Sequence, residues 1–155
     1  MVSGSKTTRS AAYPGEIKPR PPSLNRRAGK EVIFLIASDS LHDQAEKPHP
    51  RLYGTFPHVL AKYVREKKLL TLEEATRKMT SFPARRFRLG KRGLIAPGYA
   101  ADLVVFDPDE ISDRATYDDP KRFPKGISCV LVSGAIAVES GVHRGARAGR
   151  TIERS

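Results

Sequence analysis

The sequence has a single cysteine, Cys129, among its 155 residues. A lone thiol excludes any intrachain disulfide and favours a reducing compartment, so we expect the protein to be cytoplasmic. Cys129 lies in the β-branched run Ile127–Val132, a setting typical of a buried structural thiol. A nucleophilic cysteine would need a neighbouring base and electropositive surroundings, which this run does not provide.

Long apolar stretches are also missing. The longest, at residues 32–37, has six residues, far short of the roughly 20 that cross a bilayer. The N-terminal residues carry charges but no apolar segment of the kind found in secretion signals. These absences predict no membrane association and again favour the cytoplasm.

Acidic residues are few, 17 against 28 lysines and arginines, which gives a formal charge of +11. Residues 1–30 contain seven of the basic residues and one acid, Glu16, so the charge is concentrated there. Such a segment can bind nucleic acid by releasing counterions from phosphates. Only Tyr13 is an aromatic residue among the basic ones, and no helix-turn-helix, zinc-finger or RNA-binding signature follows. Nucleic-acid binding through residues 1–30 is therefore a disfavoured alternative.

The composition divides the chain into a leader and a folded part. Residues 1–30 combine four prolines with glycine, serine and basic residues and show no apolar periodicity, which predicts a disordered leader. Residues 32–37 form a continuous apolar run, typical of a strand covered on both faces as in a parallel sheet. Residues 38–51 are polar, and Pro48 and Pro50 favour extended backbone, so a long loop should follow that strand.

Two helices are predicted next. The first should span residues 55–68, with Thr55 as its cap, Pro57 in its first turn and an apolar stripe along one side. Thr71 and Glu74 form a T-x-x-E capping box, which should open the second helix.

Strand patterns follow the helices. Residues 102–107 form an apolar run that predicts a strand, and residues 108–126 form an extended excursion rich in turn residues. Residues 127–138 predict a β-hairpin that turns at Ser133 and the glycine after it, because glycine readily adopts positive φ. We expect the strand and the hairpin to pack as one small sheet that shields Cys129.

Several strings in a fixed order carry a family resemblance between about residues 32 and 150. They are S-D at 38–39, P-H-P-R-L-Y-G-T-F-P at 48–57, L-E-E-A at 72–75, K-M-T at 78–80, G-L-I-A-P-G-Y-A-A-D-L-V-V-F-D at 93–107 and V-S-G at 132–134. The run P-G-x-x-A-D-L-V-V-F-D is typical of the amidohydrolase superfamily, and the string at 48–57 is typical of its D-aminoacylase branch. The chain thus resembles the C-terminal portion of an N-acyl-D-amino-acid deacylase.

The resemblance implies an α+β chain that is a fragment of a metal-dependent (β/α)8-barrel hydrolase, or TIM barrel. Residues 31–90 would supply the last barrel strand and its helices. Residues 91–150 would supply the C-terminal strands of a small β-sandwich, and residues 151–155 a tail. In the family, zinc activates a water that attacks the N-acyl amide of a D-amino acid. Which acyl group and which D-amino acid are preferred stays open.

Two residues match functional positions of the family. Asp39 matches the catalytic aspartate after the last barrel strand, which takes a proton from the metal-bound water and passes it to the leaving amine. Arg51 matches an arginine that binds the substrate carboxylate, a task suited to a planar guanidinium. Without the family, Asp39 would be a turn or cap residue and Arg51 a surface residue that closes a loop. Ser40 occupies a position at which relatives have glycine. The loop that leads to Arg51 therefore departs from the family pattern, and the orientation of the Arg51 side chain stays open.

Metal ligands are the main departure from the family, whose first barrel strand carries an H-x-H pair. The four histidines of this chain show no zinc-binding spacing; they are His42, His49, His58 and His143. We therefore expect no metal ligands, no tight zinc binding and no activity of the isolated chain. One other class of function stays open, in which residues 32–37 present an unpaired edge for self-association or for docking, as an accessory module, onto a chain that contains the barrel.

Overall fold

The computed structural model describes residues 34–41 and 46–153, in which helices precede an antiparallel sheet. The helical part contains α1 (Arg51–His58), a π-helical segment (Val59–Glu66), α2 (Leu72–Met79) and α3 (Ser81–Phe87). The strands are β1 (Leu103–Phe106), β2 (Ile127–Val132), β3 (Ala135–Glu139) and β4 (Val142–His143). The predicted disorder of residues 1–30 lies outside the described residues.

The segment of residues 34–41 has no regular secondary structure. The predicted strand at 32–37 is therefore wrong for residues 34–37, the part of it that the structure describes. A strand forms where a neighbouring strand satisfies its backbone groups, and the described part of the chain offers no such neighbour here. The Ile36 amide instead donates to the carbonyl of Lys78, near the end of α2, over 3.4 Å.

Helix α1 begins at Arg51, four residues before the predicted start at Thr55. Its N-cap residue is Pro50, and the imidazole of His49 accepts the Arg51 amide proton, with 3.1 Å between Nδ1 and N. Thr55 is inside the helix, where its hydroxyl donates to the Arg51 carbonyl over 2.8 Å. Pro57 is internal too, and because proline lacks an amide proton it interrupts the α-helical hydrogen bonding shortly before the π-helical segment.

Helix α2 begins as its capping box predicts. The Thr71 hydroxyl accepts the amide proton of Glu74 over 3.2 Å. The apolar side chains of the helix share one face, where Ala75 is fully buried and Leu72 and Met79 pack against the core. Local capping and the apolar stripe thus determine this helix together.

The four strands form one antiparallel sheet in chain order. β1 pairs with β2 and β2 with β3, which confirms the predicted small sheet and its hairpin. Ser133 and Gly134 both have positive φ, 50° and 83°, as the two-residue type I′ turns of hairpins require. The sequence pattern does not predict β4, a two-residue strand paired with β3. Cys129 is half-buried in β2, less shielded than expected.

The hydrophobic core lies between the π-helical segment, α2 and the excursion (residues 108–126) that connects β1 to β2. Its buried members are Val59, Leu60, Tyr63, Ala75 and Ile111. Ile111, with 2% of its surface exposed, belongs to the excursion, which therefore packs back onto the helices. Among the described residues, no helix has both the length and the apolar character to cross a membrane.

Candidate functional site

Asp39 and Arg51, the two residues that the sequence singles out, lie side by side. Asp39 Oδ2 is 3.3 Å from Arg51 Nη1, and the two side chains are 89% and 43% exposed. Asp39 belongs to the irregular segment, and Arg51 is the first residue of α1. An ion pair this exposed adds little to stability, so both groups can exchange this contact for another partner.

The backbone of Asp39 adopts an uncommon left-handed conformation, with φ of 50°. Non-glycine residues seldom occupy this region, although aspartate does so more readily than most. Such conformations are frequent at functional sites, where the surroundings hold them in place. The conformation suits both a turn residue and a catalytic one.

A shallow recess of about 150 Å³ opens beside this pair. Its lining residues are Ser40, Leu41, His49, Arg51 and Leu52. Pockets that enclose a whole small molecule have volumes of roughly 300–1,000 Å³. The recess therefore suits one polar end of a substrate, such as a carboxylate, rather than an entire ligand.

His49 connects the recess to a distant part of the chain through both nitrogens of its ring. Nδ1 accepts the Arg51 amide proton over 3.1 Å, and Nε2 lies 3.0 Å from the hydroxyl of Tyr117. The His49 and Tyr117 rings meet edge to face, with 5.2 Å between centroids. Burial, and in second place the charge of Arg51, lower the pKa of His49. The imidazole is therefore neutral at neutral pH.

Other contacts hold the excursion against α1. Asp113 Oδ2 lies 3.0 Å from His58 Nδ1. Asp113 also packs closely against Gly54, because a Cβ added at this glycine would lie 3.1 Å from the Asp113 Cβ. The Phe123 ring meets the Tyr53 ring edge to face, with centroids 5.6 Å apart. Because Tyr117 lies between Asp113 and Phe123 in the sequence, its segment is attached to α1 on both sides.

A buried lysine anchors the irregular segment to α2. The Lys78 ammonium lies 3.8 Å from the centroid of the Phe34 ring and 3.1 Å from Glu74 Oε1. A hydrogen bond from Arg77, together with the neighbouring Lys78, lowers the pKa of Glu74 to about 2. The buried ammonium is thus paired, and Phe34 is held five residues before Asp39.

The described histidines are dispersed rather than gathered around one point. His49 precedes α1, His58 ends it, His143 is in β4, and His42 lies outside the described residues. Within residues 34–41 and 46–153, no three His, Cys, Asp or Glu side chains lie close enough together to hold a metal ion. The side chains in this part of the chain therefore do not fit a catalytic zinc, which takes three protein ligands.

The sequence does not indicate a role for Tyr117 or its contact with His49. The two residues are 68 positions apart, and no short motif connects them. The only signal is the presence of aromatic residues, Tyr117 and Phe123, in an excursion otherwise rich in polar and turn residues.

Comparison with known sequences identifies the family. The sequence model of the amidohydrolase family matches residues 24–138. The chain therefore belongs to the amidohydrolase family.

Within this family the chain is similar to deacylases of N-acyl-D-amino acids, as its motifs predict. It is 51% identical over 109 residues to the N-acyl-D-glutamate deacylase of Alcaligenes xylosoxydans xylosoxydans, a match that covers 70% of this chain and 22% of that protein. A crystal structure of D-aminoacylase superimposes with a TM-score of 0.75 at 48% identity, over 77% of this chain and 25% of that one. The N-acyl-D-glutamate deacylase of Bordetella bronchiseptica, in complex with zinc and a phosphonate that mimics the tetrahedral intermediate, gives a TM-score of 0.66 at 49% identity, over 68% and 22%.

These matches confirm the predicted fold class, because the described helices and antiparallel strands correspond to part of an amidohydrolase barrel protein. The chain spans about a quarter of the length of the relatives it matches.

Proposed function

We propose that the chain supplies the proton-transfer and carboxylate-binding residues of an N-acyl-D-amino-acid deacylase, with Asp39 and Arg51 in these two roles. The observation that supports this most strongly is the 3.3 Å contact between Asp39 Oδ2 and Arg51 Nη1. It means that the two residues selected by family resemblance, which are separated in the sequence, meet beside one recess. The similarity to a deacylase named for N-acyl-D-glutamate supports the substrate class.

Asp39 has the chemistry of a general base that later acts as an acid. Its carboxylate is almost fully exposed, so it can reach a reacting water or amine. A carboxylate in this role accepts a proton as the amide is attacked and returns it to the leaving amine, so that its charge is unchanged after one turnover. The left-handed backbone of Asp39 restricts where the carboxylate can lie.

Arg51 has the geometry of a carboxylate-binding residue. A guanidinium forms two parallel hydrogen bonds with a carboxylate, and its charge persists at every physiological pH. In this structure the Asp39 carboxylate contacts one of the terminal nitrogens of the Arg51 guanidinium. A substrate carboxylate would displace this exposed contact at little cost and leave Asp39 free for proton transfer.

In this proposal the metal ion is bound by residues other than those that the structure describes. The Bordetella relative contains zinc, which in such hydrolases lowers the pKa of a bound water. The described side chains of this chain do not gather into a zinc site. We therefore propose that the chain performs its part of the reaction only together with the metal-binding part of a barrel, and that alone it is inactive.

A chimera tests these assignments. The quarter of the Alcaligenes N-acyl-D-glutamate deacylase that matches this chain would be replaced by the corresponding residues of the chain, and deacylase kinetics measured. Asp39→Asn should lower kcat by about 10²- to 10⁴-fold, the usual contribution of general acid–base catalysis. Arg51→Lys should chiefly raise KM, by about tenfold, because lysine does not reproduce the bidentate contact.

The exposed pair Asp119 and Arg122 provides a matched control, since it is a second aspartate–arginine contact on the surface. Asp119→Asn and Arg122→Lys should leave both kinetic constants close to those of the parent chimera. An active chimera that keeps its kcat after Asp39→Asn would refute the role of Asp39.

A second candidate role is that of a module that docks onto a barrel-bearing chain or onto a second copy. The supporting observation is that residues 34–37 pair with no strand among the described residues and that Phe34 and Ala37 are exposed. A concentration-dependent mass in sedimentation velocity, abolished by Ala37→Lys at one of these exposed positions, would favour it over a monomer. We also propose a cytoplasmic location, which fits the single cysteine; fractionation of cells expressing the tagged chain tests this. Nucleic-acid binding through residues 1–30 would appear as salt-sensitive DNA binding.

A further inference from the structure

The two hydrogen bonds of His49 restrict its ring to one protonation state. Nδ1 lies 3.1 Å from the Arg51 amide nitrogen, which can only donate, so Nδ1 must be an unprotonated acceptor. A neutral imidazole then carries its proton on Nε2, 3.0 Å from the Tyr117 hydroxyl, which accepts it. Protonation of Nδ1 would break the contact with Arg51 and place a second positive charge beside its guanidinium. The lowered pKa of His49 agrees with this state.

The connection between this ring and Arg51 is short and stiff. Only Pro50 separates the two residues, and its ring fixes φ, here at −53°. His49 and Arg51 also line the same recess. A contact that fixes the His49 imidazole therefore also fixes the first turn of α1, from which the Arg51 side chain extends.

The Tyr117 hydroxyl is a firm attachment point for the imidazole. Its segment is attached to α1 through Asp113 on one side and through Phe123 on the other. The ring contact between Tyr117 and His49, at 5.2 Å, adds a second restraint to the hydrogen bond. A side chain that only accepted the Arg51 amide proton would cap α1, but it would not connect α1 to the excursion as His49 does through Tyr117.

We propose that His49, held by Tyr117, is a positioning residue for Arg51: the imidazole bridges the Tyr117 hydroxyl and the Arg51 amide and so fixes where the guanidinium meets a substrate carboxylate. This inference rests on the proposed role of Arg51 as the carboxylate-binding residue. In this inference the excursion affects substrate binding through Tyr117, which itself does not contact the substrate.

The test separates capping from positioning by nitrogen-15 NMR on the full chain. His49→Asn retains an acceptor for the Arg51 amide, as asparagine does in turns, but loses the contact with Tyr117. Tyr117→Phe removes only the hydroxyl, His49→Ala removes both contacts, and Tyr99→Phe serves as a tyrosine control. The probe is N-acetyl-D-alanine, with N-acetyl-D-alaninamide as a control without the carboxylate. The readouts are the ring nitrogens of His49, the side-chain Nε–H signal of Arg51, the probe affinity and the unfolding midpoint.

We expect His49 to carry its proton on Nε2, and the Arg51 side-chain signal to change in both Tyr117→Phe and His49→Asn. Probe affinity should fall about three- to tenfold in these two variants, as expected for the loss of one hydrogen bond. The unfolding midpoint of His49→Asn should stay near that of the parent, because the cap is retained. Tyr99→Phe should change none of the readouts.

An Arg51 signal unaffected by Tyr117→Phe and His49→Asn, or a His49 proton on Nδ1, would overturn the inference. If the parent chain does not bind the probe at Arg51, the proposed substrate role of Arg51 fails. The part of the inference that concerns the substrate fails with it, and the response of the Arg51 signal to Tyr117→Phe then decides whether His49 holds the Arg51 side chain. If the probe binds equally well to the parent and to His49→Ala, the substrate role stands and the positioning inference fails.

Discussion

Gly126, at the end of the excursion, should tolerate no side chain. Its φ is +81°, and an added Cβ would lie 2.6 Å from the Ile111 nitrogen and 2.8 Å from the Glu110 carbonyl carbon. Both neighbours are backbone atoms, so no side-chain rotation relieves the overlap. The adjacent backbone is also constrained, because Lys125 and Ser112 exchange two hydrogen bonds, of 3.0 and 3.3 Å. Gly126→Ala should therefore push the buried Ile111 out of the core.

The size of the effect follows from two separate costs. An alanine forced into the left-handed region costs about 1 kcal/mol, and overpacking against a well-packed neighbour adds about 1–3 kcal/mol. Gly141 isolates the first cost, since its φ is +77° but an added Cβ would meet no atom within 4 Å. We expect Gly126→Ala to lower the free energy of unfolding by about 2–4 kcal/mol and Gly141→Ala by about 1 kcal/mol.

Urea unfolding followed by circular dichroism measures both variants against the parent chain. The midpoint should decrease clearly more for Gly126→Ala, with similar slopes if the unfolded states are alike. Equal losses in the two variants would refute the reasoning, because they would mean that the backbone around Ile111 moves aside without cost.

Two further predictions concern charge and burial. The pKa of Glu74 in the folded chain, about 2, is below its ordinary value of 4.5, so its stabilising contribution is complete above about pH 4.5 and is lost as the pH falls towards 2. The Glu74 side chain is 37% exposed, so solvent screening should limit this contribution to about 1 kcal/mol. In acid unfolding curves, the difference in stability between the parent chain and Glu74→Gln should shrink as the pH falls from 4.5 towards 2. Cys129, half-buried in β2 between β1 and β3, should react with a thiol reagent more slowly in the native chain than in denaturant; equal rates would contradict the sheet.

Short-range sequence patterns predicted the local structure well. The capping box of α2 depends on residues three positions apart, and the hairpin depends on a two-residue turn, so each is determined largely by neighbours. The start of α1 was predicted wrongly because its first amide is capped by an imidazole, and histidine is not among the usual capping residues. The strand at residues 34–37 was wrong because an apolar run indicates burial but does not supply a partner strand.

The sequence selects the candidate site residues one by one but does not predict how they are arranged. Asp39 and Arg51 each follow from a family motif, and their contact follows from how the irregular segment lies against α1. The contact between His49 and Tyr117 joins positions 68 residues apart, and no periodicity or motif reports on such a distance. This contact is thus a property of the tertiary structure.

Zinc calorimetry combined with a deacylase assay on the same purified chain tests the central claim, that this chain carries Asp39 and Arg51 but not the metal site. A catalytic zinc needs three protein ligands, and the four histidines of the sequence have no zinc-binding spacing. The account predicts no stoichiometric zinc binding and no hydrolysis of N-acetyl-D-amino acids, with Asp39→Ala indistinguishable from the parent chain. Stoichiometric zinc with turnover that Asp39→Ala abolishes would contradict it.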